Sequence, residues 1–259
     1  MIQLERVSVE YPNGVRALRD ISVSIGKGDF AFVVGPTGSG KSTMLKLLYR
    51  EIVATGGSVV LDGEDVGTLR PAAVPYLRRK LGIVFQDFKL LPQKNVWENL
   101  AFALRVIGVS PKEIRRRIGE VLELVGLAQR CDSFPHQMSG GEQQRAAIAR
   151  ALVNHPTVLL ADEPTGNLDP DTSWDIVQLL DQINTHGTTV LVATHDNQIV
   201  DRMKRRVIQL DSGCLVRDQQ KGAYQPFDSA QDKPLDLAQD RPFDCAQDRP
   251  FDCAQGEAL

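Results

Sequence analysis

The sequence predicts an α/β fold in which a parallel sheet is covered on both faces by helices. Three observations carry this. Short runs that are apolar throughout read as strands buried on both sides, and helical patterns fall between them. A glycine-rich loop joins one such run to the next helical pattern. No run of about 18 apolar residues occurs, so nothing reads as a membrane span.

Taken in order, apolar runs at Ile2–Val9, Ile21–Ile25 and Phe30–Val34 read as strands, followed by a helix over Lys41–Arg50. Strands at Ser58–Leu61 and Leu81–Phe85 come next, then helices over Val96–Ile107, Pro111–Val125 and Gly140–Leu152. A strand at Val158–Asp162 leads to a helix over Pro170–His186. That helix has Ile176, Val177, Leu179, Leu180 and Ile183 on one stripe and Gly187 as its stop. Strands at Thr188–Ala193 and Val207–Leu210 close the body.

From Pro226 the chain repeats an octapeptide, Pro226-Phe227-Asp228-Ser229-Ala230-Gln231-Asp232-Lys233, with near copies from Pro234 and Pro242 and a truncated one from Pro250. A proline every eighth residue breaks any helix. At about 100° per residue a period of eight drifts by about 80° per unit, so no apolar face builds up. The chain therefore divides into a body over residues 1–217 and a disordered, low-complexity tail over 218–259. A translated DNA repeat explains such near-identity more simply than a partner-binding tail does.

With 259 residues, 42% of them hydrophobic and 24% charged, the chain can bury a sizeable core. That excludes a peptide hormone, a disulfide-stapled mini-domain and a wholly disordered chain. The opening Met1-Ile2-Gln3-Leu4-Glu5-Arg6 lacks the layout of a signal peptide. From Pro226 on, the tail carries eight acidic and three basic residues, so the net charge of -3 overlies a nearly neutral body with no bias toward nucleic acid. No two of the four cysteines have the CxxC spacing of a metal site.

Directly after Phe30–Val34 comes Gly35-Pro36-Thr37-Gly38-Ser39-Gly40-Lys41-Ser42, the GxxxxGK[ST] pattern, leading through Thr43 into a helix. Glycines at 35, 38 and 40 let the backbone wrap with its N–H groups turned toward phosphate oxygens. The helix N-terminus adds partial positive charge, and Lys41 adds a mobile full charge. Ser42 is placed to hold Mg2+. The second element, Thr157-Val158-Leu159-Leu160-Ala161-Asp162-Glu163-Pro164, is an apolar strand ending in two carboxylates, on the edge where an α/β site faces its ligand. Asp162 would reach the magnesium shell, and Glu163 would polarise the attacking water as general base. An acidic pair at a strand end is commonplace alone; beside a phosphate loop it points to phosphoryl transfer.

The third element, Met138-Ser139-Gly140-Gly141-Glu142-Gln143-Gln144-Arg145, opens the next helix. Ser139 and Glu142 have capping-box spacing, so Ser139 reads as an N-cap. Two glycines in the first turn cost helix propensity without structural benefit, which points to close approach by something anionic. The motif closely resembles the signature of ABC-type ATPases.

That resemblance covers residues 1 to about 217. It implies ATP and Mg2+ as ligands, and a mixed or parallel core sheet flanked by helices with an antiparallel β subdomain and a helical signature subdomain. Tyr11 matches the aromatic that stacks on adenine, and Gln86 the glutamine of the loop serving metal and catalysis. Asn167-Leu168-Asp169 matches the loop after the carboxylates, with Asp169 at the nucleotide, and His195 matches the histidine that contacts the γ-phosphate. Ser139, Gly140, Gly141 and Glu142 of one subunit would complete the phosphate site of another, so the resemblance implies a homodimer with ATP sandwiched twice. Taken singly, Tyr11 reads as packing or surface and His195 as a hydrogen-bonded structural residue; His136, His155 and His186 have no place in the pattern.

The stretch from Phe85-Gln86-Asp87-Phe88-Lys89-Leu90-Leu91-Pro92 through Trp97-Glu98-Asn99-Leu100 to Val106, with Tyr11-Pro12-Asn13-Gly14, resembles the cell-division branch of that family. This implies a polytopic membrane partner, a peripheral position on the cytoplasmic face of the plasma membrane, and control of peptidoglycan hydrolysis. The catalytic motifs equally fit the ATPase subunit of a lipoprotein-releasing or macrolide-type exporter, which differs mainly after Gln86. A soluble repair ATPase would insert a long coiled coil, whereas only about 100 residues without sustained heptads separate Lys41 from Ser139. Translation types carry two cassettes per chain. Basic clusters at Arg78-Arg79-Lys80, Arg115-Arg116-Arg117 and Lys204-Arg205-Arg206 read as solvated helix faces in preference to lipid-binding patches.

Overall fold

Two sheets organise residues 1–222, the part of the chain that the computed structural model describes. The octapeptide repeat, expected to be disordered, lies outside the described residues. In chain order, β1 (Ile2–Glu10) and β2 (Arg16–Ile25) form a hairpin, β3 (Phe30–Val34) runs into the glycine-rich loop, and α1 (Lys41–Leu48) follows. Next come β4 (Gly56–Leu61), β5 (Glu64–Asp65), α2 (Val74–Arg79), β6 (Leu81–Val84), α3 (Val96–Val106), α4 (Pro111–Leu124) and α5 (Gly140–Leu152). The remainder is β7 (Val158–Asp162), α6 (Pro170–Thr185), β8 (Thr189–Thr194), α7 (Asn197–Met203), β9 (Arg206–Asp211) and β10 (Cys214–Gln219).

The larger sheet has the strand order β10-β9-β3-β8-β7-β6. Its ladders are parallel except the last, where β10 returns antiparallel on β9. Every residue of β3 and of β8 is buried, which requires cover on both faces. The pleat divides β3 between two cores: Phe30, Phe32 and Val34 join the helices α3 to α6, while Ala31 and Val33 join α1 and the smaller sheet. That smaller sheet, β2-β1-β4-β5, is antiparallel throughout. The larger sheet is thus parallel through five strands with one antiparallel edge strand, in keeping with the mixed or parallel core sheet that the family resemblance implies, and the antiparallel subdomain implied with it is present.

Four elements escape the periodicity reading. β5 has two residues and α2 six, too short for a period to show. α7 has seven, marked only by its Asp196 cap, which accepts from the Ile199 N–H. β10 has three apolar residues before turning polar and is held by its hairpin with β9 across Ser212-Gly213, both at positive φ. It passes residue 217, and the Gly222 N–H donates to the Arg205 carbonyl at 3.1 Å. The basic clusters are largely paired: Arg116 and Arg117 with Glu113, Arg205 with Asp181, and Arg206 with Asp218.

Candidate active site

Strand register brings the expected residues to one sheet edge. β3 sets Val34 opposite Thr194 on β8, and β8 sets Ala193 opposite Asp162 on β7. Gly35, His195 and Glu163 follow these positions and so leave the sheet side by side, at the carboxyl ends where α/β ligands bind.

The loop from Gly35 to Gly40 is pressed between β2 and the β9–β10 hairpin. A Cβ on Gly35 (φ +148) would lie 2.0 Å from the Leu210 carbonyl, and one on Gly40 (φ +105) would lie 2.6 Å from the Ala17 carbonyl. The Gly213 N–H donates to the Ser39 carbonyl at 3.2 Å. This clamp by Leu210 and Gly213 was not legible from motif reading; its one local signal is the Ser212-Gly213 turn. Pro36, Thr37 and Gly38 form the exposed rim of the loop, while Ser39 is buried with no partner for its hydroxyl. Gly40 has no side chain to cap α1, so the first-turn N–H groups there have no side-chain acceptor and are suited to an anion.

Charge is concentrated behind that loop. Lys41 Nζ donates to the Gly35 carbonyl at 2.8 Å and the Pro36 carbonyl at 3.1 Å, and stands 3.9 Å from Glu163 Oε1. The two side chains are 8% and 15% exposed. Burial pushes the Lys41 ammonium below its ordinary value, against the opposing pull of Glu163 and Asp162. Burial likewise pushes the Asp162 carboxyl up, and Glu163 adds to this, while the hydrogen bond from Ser42 opposes it. Glu163 has φ +48, a left-handed conformation costing about 1–2 kcal/mol in a non-glycine residue. Its N–H donates to the Ala193 carbonyl at 2.9 Å, and its Oε2 accepts from His195 Nδ1 at 2.9 Å. Strain at the expected general base is the kind of outlier that collects at active sites.

Ser42 Oγ donates to Asp162 Oδ1 at 2.9 Å. The pair is an all-oxygen donor set beside the loop, which fits Mg2+, an ion bound by one or two protein side chains together with phosphate and water oxygens. Among the described residues no cluster of three His, Cys, Asp or Glu is positioned to hold a metal alone.

The remaining expected residues fall into two groups. Tyr11 joins the loop, its hydroxyl 3.2 Å from Thr43 Oγ1. Gln86 lies against the segment that follows the two carboxylates: its Nε2 would lie 2.9 Å from a Cβ on Gly166, and Asn167 Nδ2 donates to its carbonyl at 3.1 Å. Ser139 and Glu142 instead form a reciprocal capping box on α5, at 3.2 and 2.8 Å, and Glu142 also pairs with Arg130 at 3.0 Å. Hydrogen bonding to the Ser139 backbone holds the Glu142 carboxyl below its usual range. Asp169 caps α6 by accepting from the Thr172 N–H at 3.0 Å, and hydrogen bonding from the Thr172 side chain, with that backbone bond, holds its carboxyl low as well.

The two signature glycines do have a packing reason, contrary to expectation. A Cβ on Gly141 would lie 2.5 Å from Thr172 Cγ2, and one on Gly140 would lie 3.2 Å from Leu168 Cδ2. Glycine content alone therefore does not argue for an anion here. Gly141→Ala should cost about 1–3 kcal/mol through overpacking, more than alanine returns in helix propensity. Thermal unfolding should show a fall in Tm, and Thr172→Ser, which removes the clashing methyl, should restore most of it. An unchanged Tm in the single variant would show that α6 yields without strain.

Loop, buried lysine, paired carboxylates and histidine together define an ATP-hydrolysing enzyme of the phosphate-loop class. The ABC transporter family model matches residues 18–166, and the chain is 53% identical over 228 residues to the cell division ATP-binding protein FtsE of Bacillus subtilis, spanning 88% of this chain and 100% of that one. The chain belongs to the ABC transporter ATPase family, in its FtsE branch. It is also 56% identical over 225 residues to FtsE of Mycobacterium tuberculosis (86% of this chain, 98% of that one) and 45% identical over 215 residues to that of Escherichia coli (83% and 97%). Among solved structures it resembles the ATP-binding cassette MJ0796, a dimer in a post-hydrolysis state bound to ADP and Pi, with a TM-score of 0.78 and 37% identity over 86% of this chain and 100% of that one.

Proposed function

We propose that this chain is the ATP-binding and hydrolysing subunit of a bacterial cell-division complex, acting as a homodimer on a polytopic, FtsX-like membrane partner. The observation that carries this is identity of 45% to 56% with FtsE proteins across nearly their whole length.

Each residue has a task in that reading. Lys41 exchanges its two loop carbonyls for β- and γ-phosphate oxygens, and the free N–H groups of the loop and of α1 take the others. Ser42 and Asp162, with Gln86, would hold Mg2+, which when bound spreads positive charge over the β- and γ-phosphates. Glu163 accepts the proton of the attacking water, while His195, anchored through Nδ1, orients that carboxylate and turns its other ring nitrogen toward the γ-phosphate. Tyr11 stacks on the adenine. Ser139, Gly140 and Gly141, framed by the Glu142 cap, meet the γ-phosphate held by the second copy, and Asp169 lies at the same junction. Because the γ-phosphate is lost on hydrolysis, it biases closed dimer against open.

The partner would hold the protein at the cytoplasmic face of the plasma membrane, where closure would pull on it and switch on peptidoglycan hydrolysis outside. No helix among the described residues is long and apolar enough to cross a membrane. On α3, Phe102 and Val106 are 50% and 65% exposed, an apolar pair one turn apart that suits a partner helix. Affinity capture from membranes with Glu163→Gln and ATP, read by mass spectrometry, should recover an FtsX-like protein; recovery of an exporter permease would overturn the division role. The ATPase domain is proposed to end near residue 217. Removing residues 223–259 should leave ATP affinity and turnover unchanged, since the site lies between Tyr11 and His195. A loss of turnover would place the tail in the machinery.

A further inference from the structure

Phe88 and Lys89 are consecutive non-glycine residues in the left-handed region, with φ of 58° and 51°. L-residues visit that region singly and at a cost, so a consecutive pair needs an external hold. Arg150, near the end of α5, provides it: one guanidinium nitrogen donates to the Phe88 carbonyl at 3.0 Å and another to the Lys89 carbonyl. Burial depresses the Arg150 pKa with no charge among the described residues to offset it, so the fork is used on backbone and not on an acid. The flanking chain is tied as well. Asn167 holds the Gln86 carbonyl, and the buried Asn99 amide donates to the carbonyls of Leu91, Lys94 and Asn95 at 3.2, 2.9 and 3.0 Å. Of these ties, only Arg150 comes from the helix whose N-terminus carries the signature motif.

We propose that Arg150 is a positioning residue: it holds the Phe88–Lys89 turn left-handed and so keeps Gln86, two residues upstream, at the nucleotide, linking that placement to the signature helix. The inference rests on the role of Gln86 proposed above. A planar fork spanning two adjacent carbonyls is something a lysine cannot reproduce.

The test measures ATP turnover and ATP binding on the full chain for Arg150→Ala, Arg150→Lys, Lys89→Gly, Arg150→Ala combined with Lys89→Gly, and Gln86→Ala. Arg150→Ala should lower kcat about tenfold or more while the Kd for ATP stays within about twofold, because residues 35–43 are untouched. Arg150→Lys should stay low. Lys89→Gly, at an exposed site where glycine takes positive φ freely, should return most of the lost turnover in the Arg150→Ala background. No recovery there, or a loss of ATP affinity as large as the loss of turnover, would overturn the proposal. If Gln86→Ala is slow and Arg150→Ala is normal, this inference alone falls; if Gln86→Ala turns over normally, the reading of Gln86 falls with it. Should Arg150→Ala not fold, Arg150→Lys with and without Lys89→Gly gives the same comparison.

Discussion

Glu163→Gln should slow ATP turnover by about a thousandfold while ATP remains bound. A positioned general base contributes roughly 10²–10⁴ in rate, and the amide keeps the shape of the carboxylate while losing its basicity. The oxygen of the amide can still accept from His195 Nδ1, now at 2.9 Å from Oε2, so the histidine keeps its anchor. Binding should hold or tighten. Glu163 is one of the charges that raise the Asp162 carboxyl pKa, and it stands 3.9 Å from the Lys41 ammonium. Neutralising it removes a negative charge from a site that must accept the polyphosphate of ATP and frees Lys41 for it. With binding intact and hydrolysis blocked, the closed dimer should accumulate, visible by size-exclusion chromatography with ATP. Normal turnover in this variant would remove Glu163 from the role of base.

Lys41→Ala should raise the Kd for ATP by about a hundredfold or more. Lys41 is the full positive charge inside the loop, its side chain is 8% exposed, and little water is present to screen its attraction for phosphate. The diagnostic is the rise in Tm on adding ATP, which tracks the logarithm of ligand concentration over Kd. It should be large in the natural protein and close to absent in the variant. A variant with the same ATP-induced rise would show that the loop N–H groups carry binding unaided.

Much of the architecture was legible because its signals are local. The strands Phe30–Val34 and Val158–Asp162 and the helix Gly140–Leu152 begin and end where apolar runs, caps and glycines place them. The phosphate loop declares itself in eight consecutive residues, and the Asp162–Glu163 pair in two. The capping box of Ser139 and Glu142 is also a local pattern, and the structure forms it.

What the sequence determined by itself is therefore what neighbours along the chain carry: a glycine-rich loop of the phosphate-binding pattern, a strand that ends in two carboxylates, a helix that starts at Ser139. Tertiary structure decided how those pieces meet. Parallel register set His195 against Glu163, thirty-two positions apart, and the packing of α1 on the sheet set Ser42 against Asp162. Packing of α6 on α5 made Gly141 a steric requirement of Thr172, and the last hairpin brought Gly213 to Ser39. Arg150 came to hold the Phe88–Lys89 turn in the same way. Periodicity reports only which face of an element is apolar; which residues touch across elements depends on register and on the packing of two distinct cores, and no local pattern encodes either.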